Sequence, residues 1–281
     1  MLEIKSLYKN YDGYKVLDGL DFTIREGEIV SLLGGNGSGK TTTFKSILAL
    51  TDCEGRIRLN KRLIDRKKTG YMPEQRSLFS DCTVHKQLQF MGRLKGMNDD
   101  SIETRLKLLY ERTGTEIYKN VLPSGLSKGN QQKIQLLMAI VNDPLLLILD
   151  EPWTGLDRDN MQLFSEMLLE MKKQRKIILL SSHQHQQVQE ICDRYLFLNN
   201  GKIALDITRK ELEASSYCII ESRQPVTGIN HVYGLKNSGN RCLLVAHNRL
   251  SDVMREMYEH DLIASVSMRP LNVSDLMEMQ A

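Results

Sequence analysis

What the chain lacks narrows the field first. Its five cysteines, Cys53, Cys82, Cys192, Cys218 and Cys242, are odd in number, widely spaced and include no CxxC pair. That pattern suggests neither a disulfide framework nor a zinc site, and makes a reducing cytosol the default compartment. No long apolar run is present. Leu145–Leu149 and Ile177–Leu180 are among the longest, far short of the roughly 20 residues that span a bilayer. A secretory leader is not expected, because Met1 to Lys9 already alternates like a strand. Charge of one sign is scarce too: 38 Lys and Arg against 35 Asp and Glu leave a net +3, too mild to point to nucleic acid as the main partner. Repeats and low-complexity tracts are missing. With 41% hydrophobic and 26% charged residues, a largely disordered or fibrous chain is excluded.

Hydrophobic patterning then switches repeatedly between a period of 2 and a period of 3.6, which favours an α/β architecture. Leu2–Tyr8 and Leu17–Ile24 read as strands of a small antiparallel element, and Arg56–Leu59 and Gly70–Met72 as further strands. Ile29–Leu33 is a short strand ending in a glycine-rich turn, followed by a helix over Lys40–Leu50. From Thr83 to Thr113 the pattern is helical, and a second helical run goes from Ser127 to Asn142. Buried strands at Leu145–Leu149 and Lys176–Ser181 alternate with helices at Asp159–Gln174 and Gln184–Asp193. Strands at Tyr195–Leu198 and Ile203–Leu205 close this unit, and a polar helix in Thr208–Ser216 serves as linker. The remainder reads as strand (Tyr217–Glu221), strand (Arg241–Ala246), helix (Ser251–His260), strand (Leu262–Met268) and a last helix from Val273. Two domains are expected: 1–215, with a helical part over about 76–142, and a small α/β appendix, 216–281.

The strongest local signal is Gly34-Gly35-Asn36-Gly37-Ser38-Gly39-Lys40-Thr41, which matches GxxxxGK[ST] between a buried strand and a helix. Glycines let successive backbone N–H groups curl around the β- and γ-phosphates of a nucleotide. The following helix points its positive dipole end at the same anion. Lys40 adds a mobile charge, Thr41 offers a hydroxyl to Mg²⁺, and Thr42 follows in the same first turn. A second element fits the first. Leu145–Leu149 delivers Asp150 and Glu151 at the C-terminal end of a buried strand, where α/β sheets place their ligands. Asp150 suits Mg²⁺, and Glu151 suits a general base, an effect of roughly 10²–10⁴-fold. Taken alone, that pair is equally a helix cap or a solvated strand end.

Between these motifs stands Leu126-Ser127-Lys128-Gly129-Asn130-Gln131-Gln132, which resembles the signature of ABC-type ATPases. Gly70–Gln75 resembles the family's Q-loop, Trp153–Asp157 its D-loop, and Ser181-Ser182-His183 its switch histidine, all in the family's order. The similarity covers roughly residues 1–215 and looks most like ATPase subunits of bacterial exporters with separate membrane chains.

The resemblance implies an α/β P-loop NTPase fold of the ABC ATPase type: a RecA-like core, an antiparallel β-subdomain and a helical subdomain. Two copies, identical or not, pack head to tail, and each ATP lies between one chain's Lys40 loop and the other's signature. It implies ATP and Mg²⁺ as ligands. Ser127 and Gly129 contact the γ-phosphate across the interface, and Asp157 bridges the chains. Gln75 contacts Mg²⁺ or the attacking water, His183 contacts the γ-phosphate, and Tyr11, 29 residues before Lys40, lies against adenine. Separate membrane permeases are the implied partners, holding the chain peripherally on the cytoplasmic face, with the surface near Leu78, Phe79 and Phe90 receiving them. The chain departs from the family pattern at Gly35, where relatives usually carry proline, and at Lys128 and Asn130 in the signature. A soluble ABC-type ATPase acting on nucleic acid or ribosomes is the competing reading. The fifty residues between Gln75 and Leu126 carry no sustained heptads. The appendix is expected to regulate or dimerise, and to bind no ATP.

Overall fold

Ile29–Leu33 (β3) is buried at every position, and so are Leu146–Asp150 (β6) and Ile177–Ser181 (β7). Strands apolar on both faces belong at the centre of a parallel sheet covered on both sides. The computed structural model, which describes residues 1–222, 226, 229–230, 232–234, 242–259 and 266–280, places them there. With Thr69–Met72 (β5), Arg194–Asn199 (β8) and Lys202–Thr208 (β9) they form a six-stranded sheet in the order β5-β6-β7-β3-β8-β9. The first five strands pair in parallel. β9 joins β8 through only Asn200 and Gly201, with φ of 48° and 73°. Two positive φ values match a type I′ hairpin, so β9 runs antiparallel at the edge.

Leu2–Tyr11 (β1), Tyr14–Ile24 (β2) and Glu54–Leu59 (β4) make a separate antiparallel sheet in the order β2-β1-β4. One core joins the two sheets. Leu2, Ile4, Leu17, Leu20 and Ile24 meet Val30, Ile148, Leu179 and Leu196 around Phe44 and Ile47 of helix Lys40–Ile47 (α1).

The helical part contains Val84–Leu94 (α2), Asp99–Thr113 (α3) and Lys128–Ile140 (α4). The single helical pattern expected over Thr83–Thr113 is therefore two helices. Gly96, at φ 86°, breaks the run, and the Asn98 side chain restarts it by accepting from Ser101 N at 2.8 Å. Arg158–Lys173 (α5) and His185–Ile191 (α6) flank the main sheet's strands in sequence.

The chain divides into two compact units, Met1–Leu205 and Asp206–Ala281, a boundary ten residues before the expected one. The second unit opens with Arg209–Glu213 (α7), started by a capping box between Thr208 and Glu211. Tyr217–Ser222 (β10), Val232–Gly234 (β11), Cys242–Ala246 (β12) and Val266–Pro270 (β13) follow, as an antiparallel sheet in the order β11-β12-β10-β13. Cys218, Ile220, Leu243 and Val245 project to one face and pack on Val253 and Met257 of Leu250–Glu259 (α8). Arg269 of β13 donates to Glu221 and, at 2.6 and 2.7 Å, to both oxygens of buried Asp275 in Val273–Gln280 (α9). Three expected bounds (Arg241, His260 and 262–265) lie outside the described residues. Among those residues, no helix is long and apolar enough to cross a membrane.

Candidate nucleotide site

The glycine-rich loop leaves the C-terminal end of β3 and runs directly into α1. Two of its glycines are fixed by space as well as by dihedral angle. Gly34 has φ 155°, and a Cβ there would strike the Leu198 carbonyl and Ser38. Gly39 caps α1 at φ 109°, with Leu17 and the Val16 carbonyl against the missing Cβ. No acidic residue lies in α1's first turn, so nothing competes with an anion for its exposed N–H groups.

Lys40 folds back over the loop and donates to the Gly34 and Gly35 carbonyls at 2.7 and 3.0 Å. Burial pushes its pKa down, while Glu151, Asp150 and Glu74 pull the other way. Thr41 donates to Asp150 Oδ2 at 2.8 Å, and Ser181 donates to Asp150 Oδ1. These bonds fix the Asp150 carboxylate at the junction of three elements: α1, β6 and β7.

Glu151 follows in the left-handed region, at φ 54°, a strained position for a residue with a long side chain. Its carboxylate accepts from His183 N at 3.1 Å and stands 3.6 Å from His183 Nε2. Burial raises its pKa above the ordinary carboxylate value, and the Asp150 charge adds to that. The His183 backbone bond, the His183 charge and Lys40 oppose the shift. Glu151 Oε1 and Ser38 Oγ are buried without a hydrogen-bond partner. A bound phosphate would accept from the Ser38 hydroxyl, and an ordered water would donate to the Glu151 carboxylate.

These residues surround a cavity of about 530 Å³. Its walls carry Asn36 to Thr42 of the loop on one side and Asp150, Glu151 and His183 on the other. Tyr11 stands at the mouth, 43% exposed. Its hydroxyl is 3.2 Å from Thr51 Oγ1, and Lys9 Nζ sits 4.5 Å from its ring centre.

Not every expected residue is here. Gln75 is exposed and outside the cavity, and Glu74 lines it instead. Both residues sit in the bend after β5, and that bend presents only Glu74 to the cavity. Val16 is a further wall residue that sequence reasoning missed; its partly buried place on β2 carried no chemical signal. Gly34, Gly35, Ser127, Gly129 and Asp157 are also outside the cavity lining. Exposed Ser127 caps α4, accepting from Asn130 N at 3.3 Å. Asp157 caps α5, accepting from Asn160 N at 2.9 Å. Trp153 is buried at 1% exposure.

The donor set fits Mg²⁺. Thr41 and Asp150 offer hard oxygen atoms, and among the described residues no cluster of three or more His, Cys, Asp or Glu could hold a metal ion. Hard oxygen donors of this kind suit an ion completed by phosphate oxygens and water.

Residues 17–154 match the family model described as ABC transporter. The chain is 41% identical over 219 residues, 76% of its length and 74% of the relative's, to the uncharacterized ABC transporter ATP-binding protein YhaQ of Bacillus subtilis. It is 33% identical to the Nod factor export ATP-binding protein I of Burkholderia lata, over 79% of this chain and 73% of that one. Among solved structures, cbiO1 of Clostridium perfringens, part of the ABC transporter complex cbiONQ, superposes with a TM-score of 0.66 at 30% identity, covering 76% of this chain and 90% of that one. All three are transporter components, and they lend no support to a soluble factor acting on nucleic acid or ribosomes. The chain belongs to the ATP-binding proteins of ABC transporters, a family whose ATPase domain implies ATP hydrolysis.

Proposed function

We propose that this chain is the ATP-hydrolysing subunit of an exporter, acting as one half of a head-to-tail pair docked on separate membrane permeases at the cytoplasmic face. The observation that carries the reading is an asymmetry within one chain. Lys40, Thr41, Asp150 and Glu151 converge on one cavity, whereas exposed Ser127 and the α4 N-terminus lie outside it. A single chain therefore presents two complementary half-sites, which an isologous pair completes twice.

In the closed pair, the loop N–H groups and the α1 dipole hold the phosphates, and Lys40 exchanges the Gly34 and Gly35 carbonyls for phosphate oxygens. Tyr11 offers a ring face to the base. Thr41 and Asp150 would hold Mg²⁺, which when bound neutralises charge on the phosphate oxygens. Glu151 takes a proton from water as the water oxygen bonds to the γ-phosphorus. The bond to the bridging oxygen then breaks, and ADP leaves with that oxygen. The raised pKa of Glu151 strengthens it as a base relative to an exposed carboxylate. His183 faces the γ-phosphate, and Ser127 and Gly129 of the partner chain close the far side, where they stabilise charge that grows in the transition state. Asp157 and Gln75 lie beyond the cavity, where a partner or a closing movement can engage them.

Export is the direction favoured by the likeness to the Nod factor export protein. Phe79 and Phe90, an edge-to-face pair at 6.0 Å with each ring nearly half exposed, suit a permease helix. Glu151→Gln tests the assignment. It keeps ATP affinity, loses most turnover and leaves a long-lived ATP-bound dimer. Parent-like hydrolysis in saturating Mg-ATP removes Glu151 as the base.

A further inference from the structure

Two buried glutamines on α4 have no part in the chemistry above. Gln132 and Gln135 are each 2% exposed, three residues apart and so on one face of the helix. Gln132 Nε2 donates to two consecutive carbonyls, Glu151 O at 3.3 Å and Pro152 O at 3.1 Å. Gln135 Nε2 donates to the Pro73 carbonyl, immediately before Glu74. Around them the packing is close: a Cβ on Gly129 would lie 3.3 Å from Gly155 O, and one on Gly155 would lie 3.4 Å from an Arg76 guanidinium nitrogen.

The Gln132 bonds fall on the one stretch of the site that is strained. Glu151 is held at φ 54°, a conformation that persists only where its surroundings enforce it. Its other anchors are the turn itself, β7 and the residues just after β7: the Glu151 carbonyl also accepts from Thr154 N at 3.2 Å, its N–H donates to Ser181 O at 3.1 Å, and its carboxylate accepts from His183 N. Gln132 supplies an anchor from α4, five residues after Ser127 in the chain.

We infer that Gln132 is a positioning residue for Glu151, holding the strained turn so that the carboxylate stays aligned and tying that alignment to the helix that carries Ser127 and Gly129. This rests on the reading of Glu151 as general base. Its consequence is that the signature of one chain, engaged on the partner's nucleotide, is mechanically joined to the base of its own site. A displacement of α4 reaches Glu151 through two hydrogen bonds.

The test is a double-mutant cycle on the full chain. Gln132→Met keeps side-chain length and removes the donor. Displacing a reacting group by about 1 Å costs up to roughly 10²-fold, so kcat should fall about 10- to 100-fold with ATP affinity unchanged in a direct titration. In the Glu151→Gln background, Gln132→Met should then lower the residual single-turnover rate no further, because the group it positions is already gone. The ATP-bound dimer should last as long as in the single variant. Gln132→Asn, whose shorter side chain withdraws the amide from both carbonyls, carries the same expectations if the methionine variant does not fold. Parent-like turnover in Gln132→Met, or an equal additional loss in the Glu151→Gln background, overturns the inference. Parent-like turnover in Glu151→Gln overturns the underlying reading instead, so the two failures are distinguishable.

Discussion

Gly39 and Gly35 belong to the same loop, yet the structure assigns them opposite responses to one methyl group. At Gly39 the backbone sits at φ 109°, and an added Cβ would lie 2.8 Å from Leu17 Cδ2 and 3.0 Å from the Val16 carbonyl. Leu17 is fully buried in the core, so it has no room to withdraw, and the carbonyl is main chain. A left-handed residue with a Cβ costs roughly 1–2 kcal/mol, and overpacking adds about 1–3 kcal/mol. Gly39→Ala should therefore destabilise by about 2–5 kcal/mol, a large part of the roughly 5–15 kcal/mol of a typical domain. Gly35 is outside the left-handed region and has nothing within 4 Å of a built Cβ. There Gly→Ala mainly reduces the freedom of the unfolded chain and should stabilise by about 0.4–1 kcal/mol. Trp153, the single tryptophan, is buried in the first unit, so its fluorescence during urea unfolding reports this unit without the other. Equal midpoints for the two variants would refute the steric account of the loop.

Other outcomes follow from the same geometry. Lys40→Ala should weaken ATP binding measurably, because in the proposed closed pair Lys40 is the cation that meets the phosphates; an unaltered dissociation constant in a titration counts against the loop's role. Turnover should fall as pH drops through the raised pKa of Glu151, placing the acid limb above 4.5, its ordinary value. Stability has the opposite sign. A raised folded-state pKa contributes stability below the unfolded value and loses it as pH rises, so Glu151→Gln should be more stable than the parent at pH 8 but not below 4.5. Denaturation curves at the two pH values check this. Truncation after Ser215 should leave ATP binding intact and alter dimer lifetime or basal hydrolysis; a folded truncation that no longer binds ATP contradicts the confinement of nucleotide contacts to the first unit.

Legibility in the sequence tracked how far each residue's type was forced by backbone geometry. The turn from Gly34 to Thr41 was readable because its backbone needs glycines: Gly34 and Gly39 have no space for a side chain. The parallel sheet was readable because β3, β6 and β7 are apolar at nearly every position. The break between α2 and α3 left a trace in Gly96 and Asn98, but periodicity carried on across it: Ile102 and Leu106 are as buried as Val84 and Leu88. Which of Glu74 and Gln75 lines the cavity was not readable, since a bend decides it. Nor was Gln132, whose role depends on two carbonyls that come close only through tertiary packing.

The central claim is that one chain carries two halves of different sites. The direct measurement is hydrolysis by mixed chains: Lys40→Ala disables the loop half, and Gly129→Asp places a charge and a side chain where the signature must approach phosphate. Each variant alone should be inactive. Mixed in equal amounts, half the dimers pair one of each, and each such dimer keeps one intact composite site of two, so activity should recover to at most about a quarter of the parent rate. A mixture that stays inactive although mixed dimers form, or Gly129→Asp alone hydrolysing at the parent rate, would contradict the account.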